Sequence, residues 1–129
     1  MNKNLVITCI LGLMAITLGA FASHGLEDVL SLKEMSSLET GIRYQMYHVI
    51  VLLIVNTSSS FSIKLKNSVS YVFFSGIILF SGSIYAIYIF NCPVKSIWFV
   101  TPIGGLLLMI GWILMIYFFL KKVMTKKNK

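Results

Sequence analysis

The segment TGIRYQMYH, from Thr40 to His48, gathers the side chains best suited to chemistry. A guanidinium binds anions, an imidazole moves protons or ligates metals, and tyrosine and glutamine orient a polar guest. On a helix turning about 100° per residue, Glu39, Arg43 and Tyr47 stack along one line, and Thr40, Tyr44 and His48 along the next. Gln45 falls outside this face. Glu39 is spaced to pair with Arg43, and Tyr44 to hydrogen-bond His48 one turn later. Such a face is expected to turn into a helix bundle. The sharper reading makes it a polar pocket for a lipid headgroup, a small solute or a cofactor, because ionisable groups inside membranes often mark function. The blander reading makes Arg43 and the tyrosines anchors at a membrane boundary and His48 a hydrogen-bonded packing residue. His48, about 12 Å beyond Thr40 along a helix, is the harder of the two to explain by position.

His24, in ASHGL, stands beside Gly25, which reads as a helix C-cap, and a histidine there meets the helix dipole favourably. A metal site of His24, His48 and Glu27 lacks any recognised ligand spacing, so no metal is expected. No Walker loop, G-x-S-x-G or H-E-x-x-H occurs, so no catalytic residue is assigned and no cofactor is expected. Cys9 and Cys92 fall near opposite ends of the expected fold and are not expected to form a disulfide.

These residues must be positioned in lipid. The chain has 129 residues, 57% hydrophobic and only 12% charged, with a mean hydropathy of +0.88. A soluble fold of this size cannot hide so much apolar surface. A membrane crossing needs about 20 apolar residues. Residues 5–22, 69–90 and 97–120 qualify without charge, and residues 40–56 form a weaker fourth. Their short connections predict one all-α domain over 1–129: an antiparallel bundle of four transmembrane helices. A short amphipathic segment, a helix lying on the membrane surface, is expected between the first two spans, where Leu26, Val29, Leu30 and Leu32 sit among Glu27, Asp28, Glu34 and Glu39.

The net charge of +7 is concentrated at one end. Lys3, Lys64, Lys66 and the tail lysines Lys121, Lys122, Lys126, Lys127 and Lys129 share one side. Lys33, Arg43 and Lys95 share the other with all the acids. This asymmetry predicts both termini in the cytoplasm and reads as topology rather than nucleic-acid binding. The first span also resembles a secretory signal, with AFA before Ser23. Its stripe of Gly12, Ala15, Gly19 and Ala22 suits close packing in lipid, so retention is expected. Gly76, Gly82, Gly104 and Gly111 are expected to serve helix packing in the same way. Trp98 fits a boundary anchor, and Trp112 is expected to face a neighbouring helix.

LGAFASHGL, TGIRYQMYH, FSGSIY and TPIGGLLLMIGW, in this order from Leu5 to Leu120, resemble the YwdK/YgdD family of small bacterial inner-membrane proteins. That family is catalogued as a domain of unknown function and has animal relatives among small transmembrane proteins. Where it commonly reads GAFGAHGL, this chain has Ala22-Ser23, which keeps His24. The resemblance implies four retained spans in a bacterial inner membrane. It supplies no activity or substrate. It points to His24, Arg43, Tyr44, Gln45, Tyr47 and His48 as matching positions without assigned roles.

Three functions compete. The first is a non-enzymatic accessory, assembly or lipid-interacting membrane protein. The second is an oligomeric small transporter or channel using the polar face of the second span. The third is a membrane enzyme or cofactor carrier using His48. The expected partners are the bilayer, anionic lipid at the C-terminal lysines, and a second copy or another membrane protein. No nucleic acid is expected.

Overall fold

A computed structural model describes residues 2–127. Five helices follow one another: α1 (Asn2–Gly25), α2 (Leu32–Thr57), α3 (Ile63–Tyr88), α4 (Val94–Ile97) and α5 (Val100–Lys127). No strand occurs among the described residues. Three helices are long and apolar enough to cross a membrane: α1, α3 and α5, over Lys3–Gly25, Ile63–Tyr88 and Val100–Thr125. The length of α2 equals that of α3, but Lys33, Glu34, Glu39 and Arg43 dilute its first half.

The start of α2 corrects one expectation. The amphipathic segment is not a separate surface helix. Leu26 to Leu30 form turns, with the Val29 and Leu30 amides donating to the Leu26 carbonyl, and the rest joins α2. Ser31 explains the boundary. Its hydroxyl accepts from the Glu34 amide at 3.4 Å, and its own amide donates to Glu34 Oε2 at 2.9 Å. This reciprocal capping box satisfies two donors that a bare helix start leaves unpaired. At the end of α1, Gly25 is still helical and has no positive φ, so it is not the expected left-handed cap.

Helix α3 begins at Ile63, well before the expected residue 69, because Ser62 accepts the Leu65 amide through its side chain at 3.3 Å. It ends at Tyr88. Asn91, with φ 54°, turns the chain there, and the Cys92 amide reaches back to the Ala86 carbonyl at 2.9 Å. Asparagine tolerates this left-handed conformation better than most residues. The expected span from residue 97 is divided: α4 comes first, and α5 starts at Val100 with Pro102 in its first turn.

Packing joins α1 to α2, α2 to α3 and α3 to α5. The residues that meet run in opposite chain order. Gly12 lies against Val49 and Gly19 against Ile42. Ser70 bonds Asn56, whereas Ser81 bonds Gly41. Phe73 approaches Gly111, and Phe80 approaches Gly104. Helix α3 is therefore the hub. One apolar cluster contains Leu52, Val55, Phe61, Val69, Phe73 and Leu108. A second, towards the opposite end, holds Ala22, Leu38, Ile84 and Tyr85.

Small residues permit these approaches. Ala15 and Ala22 are buried on α1 as the stripe requires. A Cβ at Gly104 would collide with the Phe80 amide nitrogen and come within 2.7 Å of the Leu79 carbonyl carbon. Backbone cannot step aside as a side chain can. Cβ atoms at Gly76 and Gly111 would press on Leu108 and Phe73. Gly82 departs from expectation: a Cβ there would meet nothing within 4 Å. It faces away from the neighbouring helices and serves no close contact.

Gly104→Ala is therefore expected to lose about 1–3 kcal/mol from forced separation of α3 and α5. Gly82→Ala is expected to be neutral or to gain up to about 1 kcal/mol from helix propensity. Thermal unfolding of the two variants in one detergent compares them directly, and equal losses would contradict the assignment.

The Ser31 hydroxyl and then the Ser31 amide hold the Glu34 carboxyl below its ordinary value of 4.5. A carboxyl depressed on folding stabilises above its unfolded pKa, and that contribution disappears as pH falls through the lower folded value. Acidification from pH 5 is expected to loosen the start of α2, and Glu34→Gln is expected to flatten this dependence. Amide hydrogen exchange at residues 32–36 measures both.

Candidate functional site

The face expected to turn inward does not do so as a unit. Arg43 and Glu39 approach to 3.9 Å with both side chains 54% exposed. An ion pair this open contributes little. Tyr44 and Tyr47 are exposed, with ring centroids 5.9 Å apart, and Tyr44 also leans on Phe80 at 5.4 Å. His24 is exposed in the last turn of α1. Only His48 of the original face is buried.

The reason is the direction in which α2 docks. Its buried residues are Leu38, Gly41, Gln45, His48, Val49, Leu52, Val55 and Asn56. They recur every three or four positions, as one buried stripe must. Gly41 admits Ile84 of α3, and Val49 meets Gly12 of α1. These contacts rotate the Glu39–Arg43–Tyr47 line outward and bring Gln45, which lay outside the expected face, to the centre.

Gln45 is 1% exposed. Its amide nitrogen donates to the Leu11 carbonyl of α1 at 2.7 Å, and its Oε1 accepts from the Tyr85 hydroxyl of α3 at 2.9 Å. One side chain thereby bridges three helices. A turn further along α2, His48 Nδ1 lies 2.6 Å from the Tyr44 carbonyl, and its Nε2 lies 3.2 Å from Trp112 Nε1 of α5. A carbonyl only accepts and an indole N–H only donates. The pair therefore assigns the neutral tautomer with the proton on Nδ1. His48 bonds the Tyr44 backbone rather than its phenol. Beside it, a groove of about 140 Å³ is lined by Tyr44, His48, Phe80, Gly105, Leu108, Met109 and Trp112.

A second buried polar group was not among the expected site residues. Asn4 Nδ2 donates to Asn56 Oδ1 at 3.2 Å and to Asn67 Oδ1 at 2.9 Å. Asn56 Nδ2 donates to Ser70 Oγ at 2.9 Å, and Lys66 Nζ donates to the Asn56 carbonyl at 3.0 Å. Three helices meet here, at the end where the lysines collect. The signal was present as asparagines at the ends of apolar runs: Asn56 closes the expected fourth span and Asn67 the connection after it. Ser83 and Thr101 join α3 to α5 across 2.6 Å.

Among the described residues, every buried side-chain nitrogen or oxygen has a hydrogen-bond partner. No three histidine, cysteine, aspartate or glutamate residues among them gather as metal ligands would. Cys9 and Cys92 are free thiols. Lys129 and the side chains of Lys126 and Lys127 lie outside the described residues, as does any lipid contact expected of them.

The comparisons agree with the resemblance. A family profile described as "Protein of unknown function (DUF423)" matches residues 18–105. A "UPF0382 membrane protein" of Haemophilus influenzae is 41% identical, over 90% of this chain and 92% of its own length. The "UPF0382 membrane protein YwdK" of Bacillus subtilis is 32% identical, over 90% of this chain and 94% of its own length. The "UPF0382 inner membrane protein YgdD" of Escherichia coli is 34% identical, over 87% of this chain and 85% of its own length. No solved structure matches the chain.

Gln45→Leu is expected to cost about 1–3 kcal/mol, because it strands the buried Tyr85 hydroxyl. Adding Tyr85→Phe removes both partners and should recover part of that loss. Unfolding of the single and double variants in detergent decides: a double variant no more stable than Gln45→Leu would mean that the bond is not the source of the cost.

Proposed function

The chain belongs to the DUF423 family of membrane proteins, and from that premise we propose that it is a four-crossing, non-enzymatic protein of a bacterial inner membrane. Its role in this reading is to assist, assemble with or organise other membrane components. The carrying observation is that, among the described residues, every buried side-chain nitrogen and oxygen is already hydrogen-bonded within the protein. Gln45, His48 and Asn56 hold helices together, each with its side-chain polar atoms already bonded. The outward faces of α1 and α5, including Val6, Leu13, Ile16, Leu106, Ile113 and Ile116, are apolar and open to lipid or to another helix.

Helix α2 is the fourth crossing in this reading. Its 26 residues extend about 39 Å, more than the roughly 30 Å hydrocarbon core. It follows α1 from Asn4–Asn56 at one end to Gly19–Ile42 at the other. A helix that accompanies a membrane-crossing neighbour over this length crosses with it. Gln45, His48 and Asn56 are tolerated within the crossing because protein shields them, and exposed Arg43 can snorkel to the boundary. The lysine-rich end, with both termini, then lies in the cytoplasm by the positive-inside rule.

An oligomeric transporter is the second reading. The outward position of Arg43, Tyr44 and Tyr47 favours it, since copies arranged about an axis could gather those residues.

Mild detergent extraction followed by mass spectrometry is expected to recover the chain with retained lipid or protein partners. A monomer free of both would contradict the proposal. Proteoliposomes are expected to show solute flux no greater than protein-free vesicles. Flux above that level, abolished by Arg43→Ala, would put the transporter first.

A further inference from the structure

At the lysine-rich end, a groove of about 540 Å³ lies between α3 and α5. Lys64 and Leu65 of α3 form one wall, and Leu114, Tyr117, Phe118 and Lys121 of α5 form the other. Ser62 and Ser68 add hydroxyls. The apolar part lies towards the middle of α5 and the charged part towards its end, so the groove is graded along the helix axis. We propose that this groove binds one anionic phospholipid, with its phosphate between Lys64 and Lys121 and an acyl chain along Leu114 and Phe118.

Charge complementarity selects the occupant. The chain has four acidic side chains, Glu27, Asp28, Glu34 and Glu39, and all belong to the other end of the bundle. No carboxylate lines this groove. Two ammonium groups from different helices therefore stand unopposed, with Lys122 next in sequence. Ammonium groups serve phosphates as strongly hydrated point charges, and basic pockets between helices on the cytoplasmic side suit anionic headgroups. The leucine and phenylalanine side chains would meet a hydrocarbon chain and offer nothing to a free anion, while the Tyr117 phenol can donate to a headgroup oxygen. The size lies within the range of small-molecule pockets. This inference rests on the membrane-spanning reading above, since the groove must open at a bilayer surface.

The test is native mass spectrometry of the full chain in detergent. Phosphatidylglycerol and phosphatidylcholine of the same acyl composition are offered at equal concentration, and inorganic phosphate is offered separately. Phosphatidylglycerol is expected to be retained at least about fivefold better. Lys64→Gln with Lys121→Gln should reduce its retention about tenfold. Lys64→Arg with Lys121→Arg should keep it, which separates charge from folding. Lys33→Gln with Lys95→Gln, at the other end, should leave it unchanged. Equal retention of both lipids, equal loss in both glutamine pairs, or displacement by millimolar phosphate would overturn the proposal. Membrane fractionation of the same cells separates the two readings. A chain found in the membrane without lipid preference refutes the groove alone, and a chain absent from the membrane refutes both.

Discussion

A polar side chain that enters lipid must find its partners within the protein, because the hydrocarbon offers none. Gln45 meets this constraint by donating to α1 and accepting from α3. The arrangement of the bundle follows from that dual role. Helix α2 must lie between α1 and α3, and its rotation must bring Gln45 inward. Leu38 and Leu52 then fall in the apolar clusters on either side, and Arg43 is carried to the outside. A single apolar residue at this position would leave the rotation to less directional packing forces.

The hub is built differently. Between α3 and α5 the determining feature is proximity of main chains, which glycine allows at residue 104. Such contacts suit lipid, where apolar side chains gain little by leaving one hydrocarbon environment for another and close packing supplies the attraction. The polar end around Asn4, Asn56 and Asn67 also joins α1 to α3, without extensive contact between those helices. Directional bonds and close packing thus divide the work, one fixing rotation and the other fixing distance.

Long apolar runs made α1, α3 and α5 legible in the sequence, and the packing stripe of α1 and the pairing of Glu39 with Arg43 were legible too. The orientation of α2 was not legible. Helical periodicity placed Arg43, Tyr44, Tyr47 and His48 on one face, but docking splits that face, burying His48 and leaving the other three exposed. Gly41 and Val49 decide that orientation through partners far away in sequence. Gln45 was set apart for the same reason: one polar residue on an apolar stripe looks like an interruption until Tyr85 and the Leu11 carbonyl stand opposite it. The asparagines lay at the ends of apolar runs, where composition cannot distinguish a solvated loop from a buried junction. Ser31 and Glu34 did carry the spacing of a capping box, but the surrounding leucines suggested a helix of its own.

His48 has two bonds that belong to different moments in the chain's synthesis. The Tyr44 carbonyl is available as soon as α2 is wound, one turn away on the same helix. Trp112 arrives only with the last long helix, and no other described hydrogen bond ties α2 to α5. A bundle without α5 would leave the His48 Nε2 acceptor unmet. The main contacts join consecutive long helices, so each can dock on its predecessor as it leaves the insertion machinery. The indole of Trp112 then acts as a latch, closing a structure whose other pieces are already in place.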